Sequence, residues 1–101
     1  MSFLRDLIFG APCAARHKNE VHRLLNELLQ IGKTDDFLSE RPGQAFNMQS
    51  RHVRAREIGK RLDEIGGISL MEYAYRRVNK KLGATLGEHL DFAWREVGSW
   101  G

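Results

Sequence analysis

Gly66-Gly67-Ile68-Ser69-Leu70-Met71-Glu72 is the stretch that decides the fold of this chain, and Leu82-Gly83-Ala84-Thr85-Leu86-Gly87-Glu88 repeats its logic. In each, a hydroxyl residue stands three places before a glutamate. That is the spacing of a capping box, in which the hydroxyl accepts a third-position N–H and the carboxylate reaches back to the cap N–H. Glycines stand beside these boxes, where a helix ends in the left-handed conformation that glycine adopts at little cost. A further glycine stop follows in Val97-Gly98-Ser99-Trp100. The punctuation predicts an all-α domain with short connections.

Working outward, apolar residues recur with the helical period of 3.6. A helix over 70–82 turns Leu70, Met71, Ala74, Tyr75, Val78 and Leu82 inward. The next, over 86–97, turns in Leu86, Leu90, Ala93, Trp94 and Val97, with Trp100 folding back after it. Upstream, a helix over 50–65 faces the core with Ala55, Ile58, Leu62 and Ile65. Gly59 lies beside that stripe, where a neighbouring backbone fits closely, and Val53 points away. The clearest helix covers 14–31, with Val21, Leu24, Leu25, Leu28, Leu29 and Ile31 on one side and Gly32 as its stop. Residues 33–49 form an irregular connection. There Thr34-Asp35-Asp36 caps a turn through Phe37 and Leu38, Pro42-Gly43 marks a second turn, and Phe46 and Met48 serve as apolar anchors. At the start, Phe3, Leu4, Leu7 and Ile8 share one side of a short helix ended by Gly10-Ala11-Pro12. So short a helix is not stable alone, so residues 1–12 read as an arm that docks on its own domain or on a second subunit. The expected architecture is one domain over 1–101, a bundle of four main helices with a short N-terminal helical arm.

With 101 residues, 42% of them hydrophobic, the chain buries a modest core, and shared burial in a dimer would add to it. The net charge of +3 and isoelectric point near 9.4 permit contact with anionic partners without demanding it. Cys13 is the only cysteine, which rules out an intrachain disulfide and a thiolate metal cluster. Arg5 and Asp6 break the N-terminal apolar run, leaving no signal-peptide core. No stretch approaches a membrane span. These features place the protein in the cytoplasm.

Two basic clusters stand out. Arg51, Arg54, Arg56, Lys60 and Arg61 surround one helix, diluted by Glu57, Asp63 and Glu64. Arg76, Arg77, Lys80 and Lys81 end the next, where the helix dipole alone favours cations. Solvated, ion-paired surface accounts for both. The alternative is nucleic-acid binding through Arg51, Arg54, Arg61, Arg76, Arg77 and Lys80, which requires the two faces to lie side by side. A helix-turn-helix fits poorly, because the second helix begins Leu70-Met71-Glu72 and not with base-reading polar residues. His17, His22, His52 and His89 show no metal-ligand spacing, and His89 reads as an edge-of-core residue. No nucleophile–base pair, paired-carboxylate motif or phosphate-binding loop is present, so neither catalysis nor a cofactor is expected.

The strings Ile58-Gly59-x-x-Leu62-x-x-x-Gly66-Gly67-x-x-Leu70-Met71 and Leu90-x-x-Ala93-Trp94-x-x-Val97-Gly98-x-Trp100 resemble a family of small uncharacterised bacterial helical proteins. The resemblance covers the C-terminal half. It implies a bacterial, soluble, helical protein and brings no activity or functional residue.

Apolar residues left over outside the stripes suggest what the surface does. Phe3, Phe9, Tyr73, Phe92 and Trp100 are the candidate partner or dimer contacts, with Val53 a further surplus residue. For Tyr73 the competing reading is a hydrophobic staple against Ile68. The expectation is a non-enzymatic protein-interaction module that forms a homodimer or binds another protein.

Overall fold

A computed structural model describes residues 12–35, 37, 38 and 46–100 of the chain, without the side chains of 46–50. The N-terminal arm with Phe3 and Phe9, the Pro42-Gly43 turn, and the anchoring roles of Phe46 and Met48 lie outside what is described. The described residues form helices and turns, with no strand among them. A 3-10 turn at Ala15–His17 leads into α1, Lys18–Lys33. Helix α2 spans Phe46–Leu82 and is broken at Gly67 into arms over 46–66 and 68–82. Helix α3, Ala84–Ala93, is followed by turns that carry the chain to Trp100.

The apolar stripes account for the packing. Val21, Leu24, Leu25, Leu28 and Ile31 of α1 are buried, and Leu29 is half-buried at the edge. The first arm of α2 buries Ala55, Ile58 and Leu62, and the second buries Leu70, Met71, Ala74 and Val78. Leu90, Ala93, Trp94 and Val97 close the core from the C-terminal side. Ile65, Tyr75, Leu82 and Leu86 are half-buried at the margins. Cys13, also half-buried, packs against the same core.

Several boundaries differ from the sequence expectation. Helix α2 begins at Phe46 instead of residue 50, and α3 ends at Ala93 instead of Val97. Gly32 does not stop α1. It is buried inside the helix, where a Cβ would meet Leu82 at 2.5 Å and the Phe37 ring at 2.8 Å. The helix ends at Lys33, and the chain reverses at Asp35, with φ 56°, whose N–H donates to the carbonyl of Gly32 at 2.9 Å. This reversal brings Phe37 back under the helix end, fully buried.

The capping boxes do not organise the helix starts. Gly83 is the N-cap of α3 and no side chain caps it, so Thr85 lies within the first turn. Ser69 likewise sits inside the second arm, two residues past the break. Both junctions instead use a glycine in one kind of conformation, Gly67 with φ 68° and ψ −161°, and Gly83 with φ 99° and ψ 166°. That region is open essentially to glycine alone. What reads in sequence as a helix terminator is the first residue of the next helix's cap.

Candidate functional site

Helix α1 and the first arm of α2 run antiparallel, joined by two matched ion pairs. Arg54 donates to Glu27 at 2.5 and 3.1 Å, and Arg61 donates to Glu20 at 2.6 and 2.9 Å. Seven residues separate Glu20 from Glu27 and seven separate Arg54 from Arg61, so each partner recurs on the same helix face after two turns. Arg51 continues the line, its Nη1 3.5 Å from Thr34 Oγ1. Glu57 at 3.7 Å from Arg54 and Glu64 at 3.5 Å from Arg61 add same-helix contacts. The Arg61 guanidinium holds the Glu20 carboxyl below its usual value of 4.5. Glu20 raises Arg61 in return, and Glu27 raises Arg54. An open groove of about 380 Å³ lies on this seam, with Arg51 and Arg54 facing Glu27, Gln30, Ile31 and Thr34 across it.

Histidine contributes two polar ties. His52, only 7% exposed, places Nδ1 against the carbonyl oxygen of Phe37, a contact that requires the proton on Nδ1. His89 Nδ1 lies 2.9 Å from Asp35 Oδ1, fastening α3 to the end of α1. The partial burial of His89 was legible in its place beside the stripe. The burial of His52 was not, because it depends on Phe37 arriving from the connection.

The C-terminal aromatic residues form a nest. Trp94 is fully buried and its indole N–H donates to the carbonyl of Ala55 at 2.9 Å. Trp100 turns back edge-on to Trp94, with ring centroids 5.1 Å apart, and lies 5.5 Å from Tyr75. Its N–H donates to Asp91 Oδ1 at 2.8 Å. Arg56 places Nη1 2.6 Å from the carbonyl of Ala93 and 3.2 Å from that of Arg95, satisfying acceptors that the end of α3 leaves open.

Beside the nest lies a second groove, of about 420 Å³. Val53, Arg56, Glu57 and Lys60 share one face of the first arm and form one wall, and Glu96, Val97 and Gly98 form the other. Glu96 has φ 66°, an uncommon conformation for a residue with a side chain. At the groove's end, a Cβ on Gly98 would fall 2.6 Å from Asp63 Oδ2. Asp63 Oδ1 is buried without a hydrogen-bond partner, as is Arg77 Nε.

The candidate contacts therefore divide. Phe92 is 52% exposed, with the Arg95 guanidinium 4.7 Å from its ring centroid. Val53 is equally exposed, and Ile68 less so at 39%. Tyr73 and Trp100 are half-buried against the core, so neither stands free as an anchor. Among the basic residues, Arg54 and Arg61 are occupied by carboxylates, and Arg51 is exposed. Arg76 and Lys80 are exposed, and Arg77 is half-buried. Sequence reasoning missed the Glu20/Glu27 and Arg54/Arg61 correspondence, although the equal spacing was there to be seen.

Among the described residues no three His, Cys, Asp or Glu side chains gather as metal ligands, and no helix is long and apolar enough to cross a membrane. No protein-family model matches the chain, and no solved structure matches it.

Proposed function

We propose that the chain is a non-enzymatic helical interaction module of the bacterial cytoplasm that self-associates as a homodimer through the exposed side of α3. If each arm of α2 is counted as a helix, the module is a bundle of four. The observation that carries this reading is the Phe92–Arg95 pair, a half-exposed aromatic ring with a guanidinium over it. Aromatic residues and arginine are the types that anchor protein interfaces. Exposed Glu88 lies one turn before Phe92, and exposed Arg95 follows three residues after it. Two copies of α3 crossing antiparallel would bring their Phe92 rings together and set each Arg95 against Glu88 of the other copy. A two-fold contact requires that kind of self-complementarity. Sedimentation equilibrium over a dilution series tests it. The expected result is a dimer that Phe92→Ser converts to a folded monomer. A wild-type chain that stays monomeric at the highest concentration, or a Phe92→Ser variant that stays dimeric, would overturn it.

One observation favours a second reading. Arg76 and Lys80 are exposed one turn apart, with no ion-pair partner among the described residues. They and Lys81 are the cations best placed to meet a nucleic-acid backbone, Arg54 and Arg61 being engaged on α1. Fluorescence anisotropy with single- and double-stranded oligonucleotides, titrated with salt, decides it. A steep salt slope that Arg76→Gln/Lys80→Gln flattens supports nucleic-acid binding, and no binding at low salt removes it.

A further inference from the structure

We propose that the outward face of α1 is a surface for duplex DNA, laid in the major groove with its carboxamides toward the base edges and its cations toward the phosphates on either side. It is a different surface from the Phe92 contact on α3 and from Arg76 and Lys80 on α2, and it rests on neither of those readings.

The first observation is where the acids of α1 go. The helix carries two carboxylates, Glu20 and Glu27. Both lie on the flank toward the first arm of α2, where Arg61 and Arg54 hold them. Helix α1 packs chiefly against α2, so its opposite side points outward. At helical spacing that side carries Asn19, Arg23, Asn26, Gln30 and Lys33, all exposed. None is acidic and none is apolar. A solvated helix face ordinarily mixes both signs of charge. Here the two ion pairs have drawn both carboxylates of α1 off the face. What remains is one sign of charge and a row of amides.

The amides are the second observation. Asn19, Asn26 and Gln30 have no hydrogen-bond partner among the described residues. Asn26 stands in the middle of the helix, where asparagine is less favourable than alanine. Neither packing nor helix propensity accounts for it there. A carboxamide offers a donor and an acceptor together, the pair that matches the edge of adenine in the major groove. The cations flank the row. Lys33 lies to one side of it and Arg23 to the other, with exposed Arg51 of α2 beyond, across an open groove from Gln30. A major groove is bounded by a phosphate backbone on each side, so the charges meet both. The dimensions agree as well. A helix with its side chains is about 10–12 Å across, and the major groove of B-form DNA is about 12 Å wide. The 16 residues of α1 run about 24 Å, enough to pass several base pairs. Duplex RNA is a poor fit, because its major groove is too deep and narrow for side chains to read.

Fluorescence anisotropy of the full-length chain with a labelled DNA duplex of mixed sequence, about 20 base pairs long, tests this. The expected result is micromolar or tighter binding at about 50 mM salt. Asn19→Glu/Asn26→Glu puts two acids on the face without touching the core. It should weaken binding at least about tenfold while circular dichroism stays unchanged. Arg23→Gln/Lys33→Gln should reduce the slope of log affinity against log salt by about 2. Arg76→Gln/Lys80→Gln, on the second arm of α2, should leave binding within about twofold. No binding of the DNA duplex overturns the proposal, as does wild-type affinity in both α1 variants. Arg76→Gln/Lys80→Gln weakening the complex as much as the α1 variants do also overturns it, because the contact then does not belong to α1. Tighter binding of an RNA duplex of the same sequence overturns the major-groove seat.

Discussion

Trp94 occupies the space that a side chain at residue 59 would need. A Cβ built on Gly59 falls 2.5 Å from Nε1 of Trp94, the same atom that donates to the carbonyl of Ala55. By helix propensity alone, Gly59→Ala would stabilise the helix by about 1 kcal/mol. Here the indole must move, lose its hydrogen bond and disturb Trp100 behind it. Overpacking of this kind costs about 1–3 kcal/mol, so Gly59→Ala lowers stability in urea unfolding by about 1–2 kcal/mol. An unchanged or raised midpoint would show that the indole does not hold this position.

The Glu20–Arg61 pair sets a pH dependence. The Glu20 carboxyl is held below its usual 4.5, chiefly by its hydrogen bond to Arg61, so the unfolded state binds that proton more readily than the folded one. Its stabilising contribution is complete above the unfolded value and is lost as pH falls through the lower folded value. Melting temperature followed from neutral pH into the acid range should fall less steeply below 4.5 in Glu20→Gln than in the wild type. Parallel curves for the two would contradict this.

The Glu27–Arg54 pair offers a test of the α1–α2 pairing by charge exchange. Each side chain is about two-fifths exposed, so the pair is worth up to about 1 kcal/mol. Glu27→Arg and Arg54→Glu each place like charges together and should destabilise the protein. The double exchange should recover most of the loss, giving a coupling free energy of about 0.5–1 kcal/mol in a double-mutant cycle. Additive losses would mean that the two residues do not meet.

Backbone geometry predicts two substitutions of opposite sign. A Cβ at Gly67 meets nothing within 4 Å, yet its φ of 68° with ψ −161° excludes side chains. Gly67→Ala therefore costs about 1–3 kcal/mol through strain alone. Glu96 holds φ 66° with a side chain in place, so Glu96→Gly relieves strain and should raise stability by up to about 1 kcal/mol. Thermal denaturation of both variants checks the pair of signs.

How much of this was legible depended on whether the determinant was local. The stripes of α1 and of the second arm read correctly, because burial of Leu24, Leu28, Leu70 and Val78 follows from helical period. The in-turning of Trp100 was readable from the glycine before it. The glycines misled where their role was tertiary. Gly32 lies inside its helix to admit the Phe37 ring, and Gly59, expected to let a neighbouring backbone approach, admits the Trp94 ring instead. The Ser69 and Thr85 boxes failed because the glycine two places before each fixes the helix start two residues earlier. For the surface, exposed Phe92 and Val53 were visible as surplus apolar residues. The capture of Arg54 and Arg61 by α1 was not, since charge alone does not tell a free cation from a paired one.

The spacing of the two ion pairs also decides how far α1 can slide along its neighbour. Moved one turn toward the end of the first arm, Glu27 would face Glu57 and Glu20 would face Glu64, two like-charge encounters in place of two ion pairs. Moved one turn the other way, Glu27 would find Arg51, but Glu20 would lie against Ile58, an apolar core residue. Neither displaced alignment keeps both pairs. Leucine stripes tolerate a shift of one turn, since one apolar row meets another much like it. The charges do not, and they act as a vernier that locks a greasy interface at one setting.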